Sequence, residues 1–333
     1  MKHANIAIFV PHNGCPHQCS FCNQKNITGT NFQPRKQHVI NAIETSLSKN
    51  TYIENREVAF FGGSFTAISH DYMIELLESV QPYIEENEVN GIRISTRPDA
   101  ISDEILDILK KYNVTAIELG AQSMHNRVLE LNERGHNAND VIVSATKIKE
   151  YGFELGLQMM VGLYGSNREK DLFTGNMFVK LKPKTVRIYP TLIMKDTKLA
   201  QLYKEKLYLP MEFNETVDIC TELLKIFEVN NINVIRLGLH SSESLENNLL
   251  AGVWHPAFRE ICESKLLLDK FINKINILKT KNKKINVYLN PKDLSKFIGQ
   301  KQCNITELKS MGFDLQIIKD NKVKRNSLKI EEQ

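Results

Sequence analysis

"NIAIFVPHNGCPHQCSFC", residues 5–22, runs a short apolar strand directly into three cysteines in C-x3-C-x2-C spacing. The thiols are Cys15, Cys19 and Cys22, half of the chain's six cysteines within eight positions. Outward from this stretch the same alternation recurs. "REVAFFGG" (56–63), "GIRISTRP" (91–98), "TAIELGAQS" (115–123), "ELGLQMMVGLYG" (154–165) and "TVRIYPTLI" (185–193) read as strands. Residues 35–49, 71–86, 102–113, 138–152 and 171–182 read as helices between them, with Ser102 as an N-cap and Gly152 as a stop. Six βα-type units at about 30-residue spacing predict a parallel sheet with right-handed crossovers. Six units suit an α/β partial (βα)6 TIM-like barrel that stays open, rather than a closed eight-unit barrel. Ligands in such sheets sit at the carboxyl ends of the strands. Those ends carry the cysteines, Gly62-Gly63-Ser64, Arg97, Gln122 and Gly162.

A helix (213–230), a strand (233–240) and a helix (255–275) that leaves the barrel follow. Residues 276–325 read as a small α+β unit in the order β-α-α-β, with Gly299 between the helices, so the expected domains are 1–270 and 276–325. The final "KRNSLKIEEQ" is expected to fray.

Of the 333 residues, 42% are hydrophobic and 25% charged, which supports a buried core. No apolar run is long enough to span a bilayer, and the N-terminus has no signal-peptide pattern. The expectation is a soluble cytoplasmic protein without a membrane partner. Six cysteines with three clustered do not form a secreted disulfide framework; in a reducing compartment such clusters bind metal. The net charge of +4 hides an asymmetry: residues 265–333 hold 16 Lys+Arg against 7 Asp+Glu, a net of +9, and the preceding 264 residues carry −5. A basic tail on an acidic body fits a nucleic-acid partner, and equally a solvated Lys-rich face.

Three clustered thiols leave several chemistries open. Structural zinc takes four protein ligands, and His12 or His17 could complete the set. An unmetallated set is a further reading. A 4Fe–4S cubane needs four ligands, so three cysteines leave one iron free for a small molecule.

The C-x3-C-x2-C triplet after the first strand, with Phe21 just before the last cysteine, resembles the radical S-adenosylmethionine (SAM) superfamily. The resemblance implies that Cys15, Cys19 and Cys22 ligate three irons of a 4Fe–4S cluster. The fourth iron would chelate SAM, whose reductive cleavage releases a 5′-deoxyadenosyl radical. "FFGGSFT" (60–66) resembles the family's Gly-rich motif, which implies that Gly62, Gly63 and Ser64 meet the SAM ammonium. "IELGAQSMHNRVLELNERGHN" (117–137) resembles the radical domain of the Elongator catalytic subunit and oxygen-independent coproporphyrinogen oxidase. By that resemblance Gln122, Arg134 and Gln158 line the SAM site, and Gly162 lies near the adenine. A ferredoxin or flavodoxin would donate the electron, in anaerobic or well-reduced cytoplasm.

On the substrate side Arg97, Arg187, Tyr189, Arg236, His240, Trp254 and His255 lie at or near predicted strand ends. They could hold an anion, or serve the fold alone. No second cysteine set suits a methylthiotransferase, and the tail has no Gly-rich acetyl-CoA loop. "LSKFIGQKQCNITELKSMG" instead resembles a KH RNA-binding domain. Ile298, Gly299, Lys301 and Ile305 match its I-G-x-x-G-x-x-I signature, and Gln302 replaces the second glycine. The resemblance implies phosphate contacts from Lys296, Gly299 and Lys301. The expected function is therefore radical modification of tRNA or rRNA. The alternatives are radical chemistry on a small molecule such as a tetrapyrrole precursor, and a non-catalytic RNA-binding protein.

Overall fold

The seven strands of the main sheet all run the same way, which forces each connection to cross over one face of the sheet. The computed structural model describes residues 3–11, 18–23, 32–49, 53–278 and 283–333. In chain order come β1 (His3–Val10), α1 (Lys36–Leu47), β2 (Asn55–Gly62), α2 (His70–Glu78), α3 (Gln81–Glu85), β3 (Gly91–Thr96), α4 (Asp103–Lys111) and β4 (Val114–Gln122). Next are α5 (Asn126–Leu131), α6 (Ala138–Glu150), β5 (Glu154–Val161), α7 (Arg168–Leu181), β6 (Thr185–Pro190), β7 (Leu192–Met194), α8 (Lys198–Lys204), α9 (Phe213–Val229) and β8 (Asn233–Leu237). Then follow α10 (Glu243–Asn248), β9 (Leu249–Gly252), α11 (Phe258–Leu278), β10 (Lys284–Leu289), α12 (Leu294–Ile298), α13 (Cys303–Ser310), β11 (Asp314–Lys319) and β12 (Leu328–Glu332).

The main sheet has the order β1-β2-β3-β4-β5-β6-β8, and every neighbouring pair is parallel. The open α/β partial barrel expected from the alternation is present, and its sheet takes in a seventh strand, β8. Ser102 caps α4 by accepting the Ile105 N–H, as its position suggests.

Apolar residues on one side of each strand, such as Val58, Phe60, Ile92, Ile94, Ile117 and Leu157, form the core with the helices. The alternate positions on the barrel side carry the charged residues Glu57, Arg93, Glu118 and Arg187 among smaller and apolar ones. There Arg93, at the sheet's centre, pairs with Glu57 at 3.2 Å, Glu154 at 2.9 Å and Glu118 at 3.5 Å. Period-two alternation thus gives one chain a dry outer layer and a charged floor inside the barrel.

The C-terminal unit has its own core of Leu267, Leu268, Phe271, Val287, Phe297, Leu308 and Leu328 among others. Its sheet has the order β11-β10-β12, with β10 parallel to β11 and antiparallel to β12. The β-α-α-β order and the break at Gly299 match expectation. Two boundaries differ. The unit's core begins inside α11, and the terminal segment expected to fray is strand β12. Leu328 and Ile330 are buried there because they cover the free edge and face of β10.

Candidate active site

A cavity of about 600 Å³ opens at the carboxyl ends of the strands. Cys19, Cys22, Gly62, Gly63, Ser64, Gln122, Arg134 and Gln158, all singled out from sequence, line it together. Cys15, His12 and His17 lie outside the described residues.

The segment bearing Cys19 and Cys22 is pinned by a residue that carries no motif. Asn132 accepts the Ser20 N–H at 3.1 Å through its backbone and the Ser20 hydroxyl at 2.8 Å through Oδ1. Its own amide donates to the Val128 and Tyr164 carbonyls. Asn132 is fully buried, so no solvent water competes for these bonds in the folded state. From the far side, the Leu199 N–H donates to the Ser20 carbonyl at 2.7 Å.

Arg134 reaches the same point. Its Nη1 donates to Cys19 Sγ at 2.9 Å, its Nη2 to the Gly120 carbonyl at 2.5 Å, and its guanidinium lies 5.9 Å from the Phe21 ring centre. Arg97 chelates Asp99 through two 2.9 Å bonds and also donates to the Arg134 carbonyl. Burial alone would raise the Asp99 carboxyl, but the Arg97 bonds and charge overcome it and hold it below the usual range. His136, buried beside Arg134, has its pKa pushed down to about 4 by burial and that positive neighbour, and is neutral near pH 7.

Two backbone features bring main chain up to the cavity. Gly62 has φ +112°, and a Cβ there would stand 2.7 Å from the Val10 carbonyl oxygen, so a glycine is required. Gln122 adopts φ +66° where the register of β4 shifts against β5, which turns its side chain inward. Its Oε1 is sealed from solvent and has no partner among the described residues. A buried carbonyl oxygen without a donor is costly unless a ligand supplies one. Gly120 was not legible as a site residue: a Cβ at that position would press on Gln122 Nε2 at 3.1 Å.

The floor is Glu118, also missed from sequence. It is 1% exposed and takes Arg187 in a two-pronged bond, Nε to Oε2 at 2.5 Å and Nη2 to Oε1 at 3.0 Å. Gln158 donates to the same carboxylate at 3.0 Å. Burial works against the Arg187 charge, but Glu118 outweighs it and keeps the guanidinium protonated.

Of the remaining candidates, Arg97 and Tyr189 line the cavity. Arg187 lies beneath it, stacked 4.8 Å from the Phe61 ring centre. His255 Nδ1 accepts the Ala257 N–H ahead of α11, and Trp254 packs against Leu192 and Met194. Gly162 is not part of the lining: its N–H donates to Asp171 at 2.8 Å, and Met211 packs over it. In the small unit, Lys296 is not free for phosphate: its ammonium sits 2.7 Å from Glu263 and 3.7 Å from Asp293. Gly299, at φ +79°, lies where a Cβ would stand 2.5 Å from Cys303 Sγ, so packing demands it. Lys301 is exposed, at φ +50°.

The "Radical SAM superfamily" pattern matches residues 9–173, and its C-terminal domain pattern matches residues 183–267. The chain belongs to the radical SAM superfamily. Members use a 4Fe–4S cluster and SAM, and this radical SAM barrel offers donors of the right kinds. Thiols, a guanidinium suited to a carboxylate, a donorless carbonyl oxygen and a glycine-flanked backbone surround one cavity.

Among curated relatives, an uncharacterized protein of Methanocaldococcus jannaschii is 28% identical over 222 residues, 66% of this chain and 65% of that protein. The tRNA uridine(34) acetyltransferase of the same organism is 28% identical over 261 residues, 65% of this chain and 47% of that protein. This chain therefore spans less than two thirds of the length of either. Among solved structures, the archaeal Methanocaldococcus infernus Elp3 with its N-terminus deleted superposes with a TM-score of 0.62 at 20% identity, covering 82% of this chain and 63% of that one. That likeness is one of fold. Among the described residues, no helix is long and apolar enough to cross a membrane.

Proposed function

We propose that this protein is a radical SAM enzyme that modifies RNA, with tRNA as the substrate class. The observation that carries the reading is the convergence of Cys19, Cys22, Gly62, Gly63, Gln122 and Arg134 on one cavity at the strand ends. Cys15, Cys19 and Cys22 would hold the cluster. When bound, the cluster supplies the electron that breaks a sulfonium C–S bond of SAM.

The residues present have distinct tasks. Arg134 sets a positive charge beside Cys19 and would face the SAM carboxylate. Gln122 Oε1 is the acceptor for an ammonium or amide N–H. Gly62 and Gly63 let backbone approach closely, and Ser64 follows them on the lining. Gln158, anchored on Glu118, presents a polar side chain from the floor. The side contributed by β5, β6 and β7 is less polar, with Met160, Tyr189, Pro190, Leu192 and Met194. A flat base can lie against such a wall while radical chemistry proceeds away from water.

RNA as the substrate is supported by the relatives named as acting on tRNA and by the basic C-terminal stretch. The small unit, from within α11 to β12, is the part we assign to RNA, with Lys301 on its Gly299 turn. The working setting is the cytoplasm under reducing conditions, with a ferredoxin- or flavodoxin-type protein as electron donor.

The test uses anaerobically reconstituted protein with SAM and dithionite. Deoxyadenosine forms with the wild type and not with Cys22→Ala. Nucleoside mass spectrometry of RNA from cells with and without the gene shows a modified nucleoside only in the former. An unchanged nucleoside profile alongside robust deoxyadenosine formation would remove RNA as the substrate and leave a small molecule.

A further inference from the structure

The last strand of the barrel ends in a cation that no carboxylate among the described residues neutralises. Arg236 is the cross-strand partner of Arg187, one strand over in the same sheet. Arg187 is fully committed to Glu118 through two hydrogen bonds. Arg236 has no such carboxylate among the described residues. Its Nε donates to the Gly238 carbonyl at 2.9 Å, a bond within its own turn, and its terminal nitrogens bond to no described residue.

Its surroundings add positive charge. Burial, with repulsion from Arg187 and Arg259, holds its pKa below the ordinary arginine value against the opposing influence of Tyr189. His240, four residues on and exposed, is pushed below its ordinary value by burial, then by Arg236 and Arg187. The cavity is adjacent, since Tyr189, two residues beyond Arg187, and Leu239, three beyond Arg236, both line it. A half-buried guanidinium among like charges is unfavourable unless an anion joins it.

We propose that Arg236, with Arg259 and His240 beside it, forms an oxyanion subsite on the cavity rim that takes a phosphodiester of the RNA substrate. The subsite rests on the RNA reading above and states where the backbone next to the reacting nucleotide is held. A carboxylate would share the chemistry, but the surface beyond favours phosphate. Arg259 sits in the first turn of α11 and shares Glu263 with Lys296 of the small unit, which also meets Asp293, itself bonded to Arg325: two anions for three cations. In the same small unit Lys292, Lys322 and Lys324 are exposed, with no side-chain partner among the described residues. This chain of ion pairs, with one cation in excess, leads from α11 into the basic tail, as a multiply charged strand requires and a single small acid does not.

Full-length reconstituted protein is titrated with bulk tRNA by fluorescence anisotropy across a salt series, with melting temperature as the folding control. Each phosphate contact contributes about 0.9 to the log–log salt slope, so Arg236→Gln should lower the slope by about 0.9, and its affinity deficit relative to wild type should grow about eightfold as salt falls from 1 M to 0.1 M. Arg236→Lys should keep the wild-type slope, and Arg259→Gln should lower it as Arg236→Gln does. An unchanged slope and affinity in both Gln variants overturns the subsite while RNA binding by the wild type stands. A loss seen toward a tetrapyrrole-type polycarboxylate but not toward tRNA overturns the phosphate assignment. A wild type that binds no tRNA at any salt overturns the RNA reading and the subsite with it.

Discussion

Replacing Glu118 by Gln should be the most informative change inside the barrel. The two side chains are nearly isosteric, so the substitution removes charge with little change in shape. The carboxylate is 1% exposed, and its main partner Arg187 has 16% of its side chain exposed. Arg93 also loses its 3.5 Å neighbour but keeps Glu57 and Glu154. The cost is therefore set by Arg187, which stays in place with the Tyr189 hydroxyl and the Phe61 ring as its remaining partners. Removing one member of a buried ion pair costs about 3–5 kcal/mol. Gln retains one acceptor oxygen, which places the loss at the lower end, about 3 kcal/mol. For a chain of this size that corresponds to a melting temperature lower by roughly 4 °C. The assay is thermal unfolding of wild type, Glu118→Gln, Arg187→Met and the double variant. The double variant should recover at least about 1.5 kcal/mol relative to the sum of the singles, because neither charge is left alone. A single-variant shift under about 1 °C, or additive singles, would refute the claim that this pair holds the cavity floor.

Further expectations follow from particular contacts. Burial lifts the Asp171 carboxyl from 3.8 to about 7, outweighing its bonds from Ser166 and the Gly162 N–H. The folded state thus retains a proton that the unfolded chain releases, so stability should fall as pH rises from about 4 to about 7 and level off above. Denaturation midpoints of Asp171→Asn, compared at pH 5 and pH 8, should lack that decline. Arg134→Lys keeps the charge but loses the fork that spans Cys19 and Gly120, so SAM affinity by calorimetry should fall about tenfold. Gly299→Ala forces a Cβ against Cys303 and a strained φ, which should speed proteolysis of the small unit while the barrel resists. Gly62→Ala, blocked by the Val10 carbonyl, should lower the yield of folded protein and abolish SAM binding.

The parallel barrel was legible in sequence because hydrophobic alternation and glycine- or polar-ended strands are local signals. So were the cysteines and the Gly62-Gly63 turn, whose chemistry is written in short spacings. Gln122, Arg134 and Gln158 came through family resemblance, and the fold then gathered them on one cavity. What no spacing contained was the support. Asn132 pins the cysteine segment from 112 residues away, and Glu118 joins Arg187 across 69. Burial and long-range pairing decide those roles, and an isolated Asn or Glu looks the same on a surface as in a core. Lys296 shows the converse: it reads as a phosphate contact until α11 brings Glu263 to it. β12 likewise reads as a loose tail until the free edge of β10 gives its backbone partners. Local sequence chose the elements and the reactive groups. Which charges were neutralised, and which were left for a ligand, depended on neighbours that only the closed chain supplies.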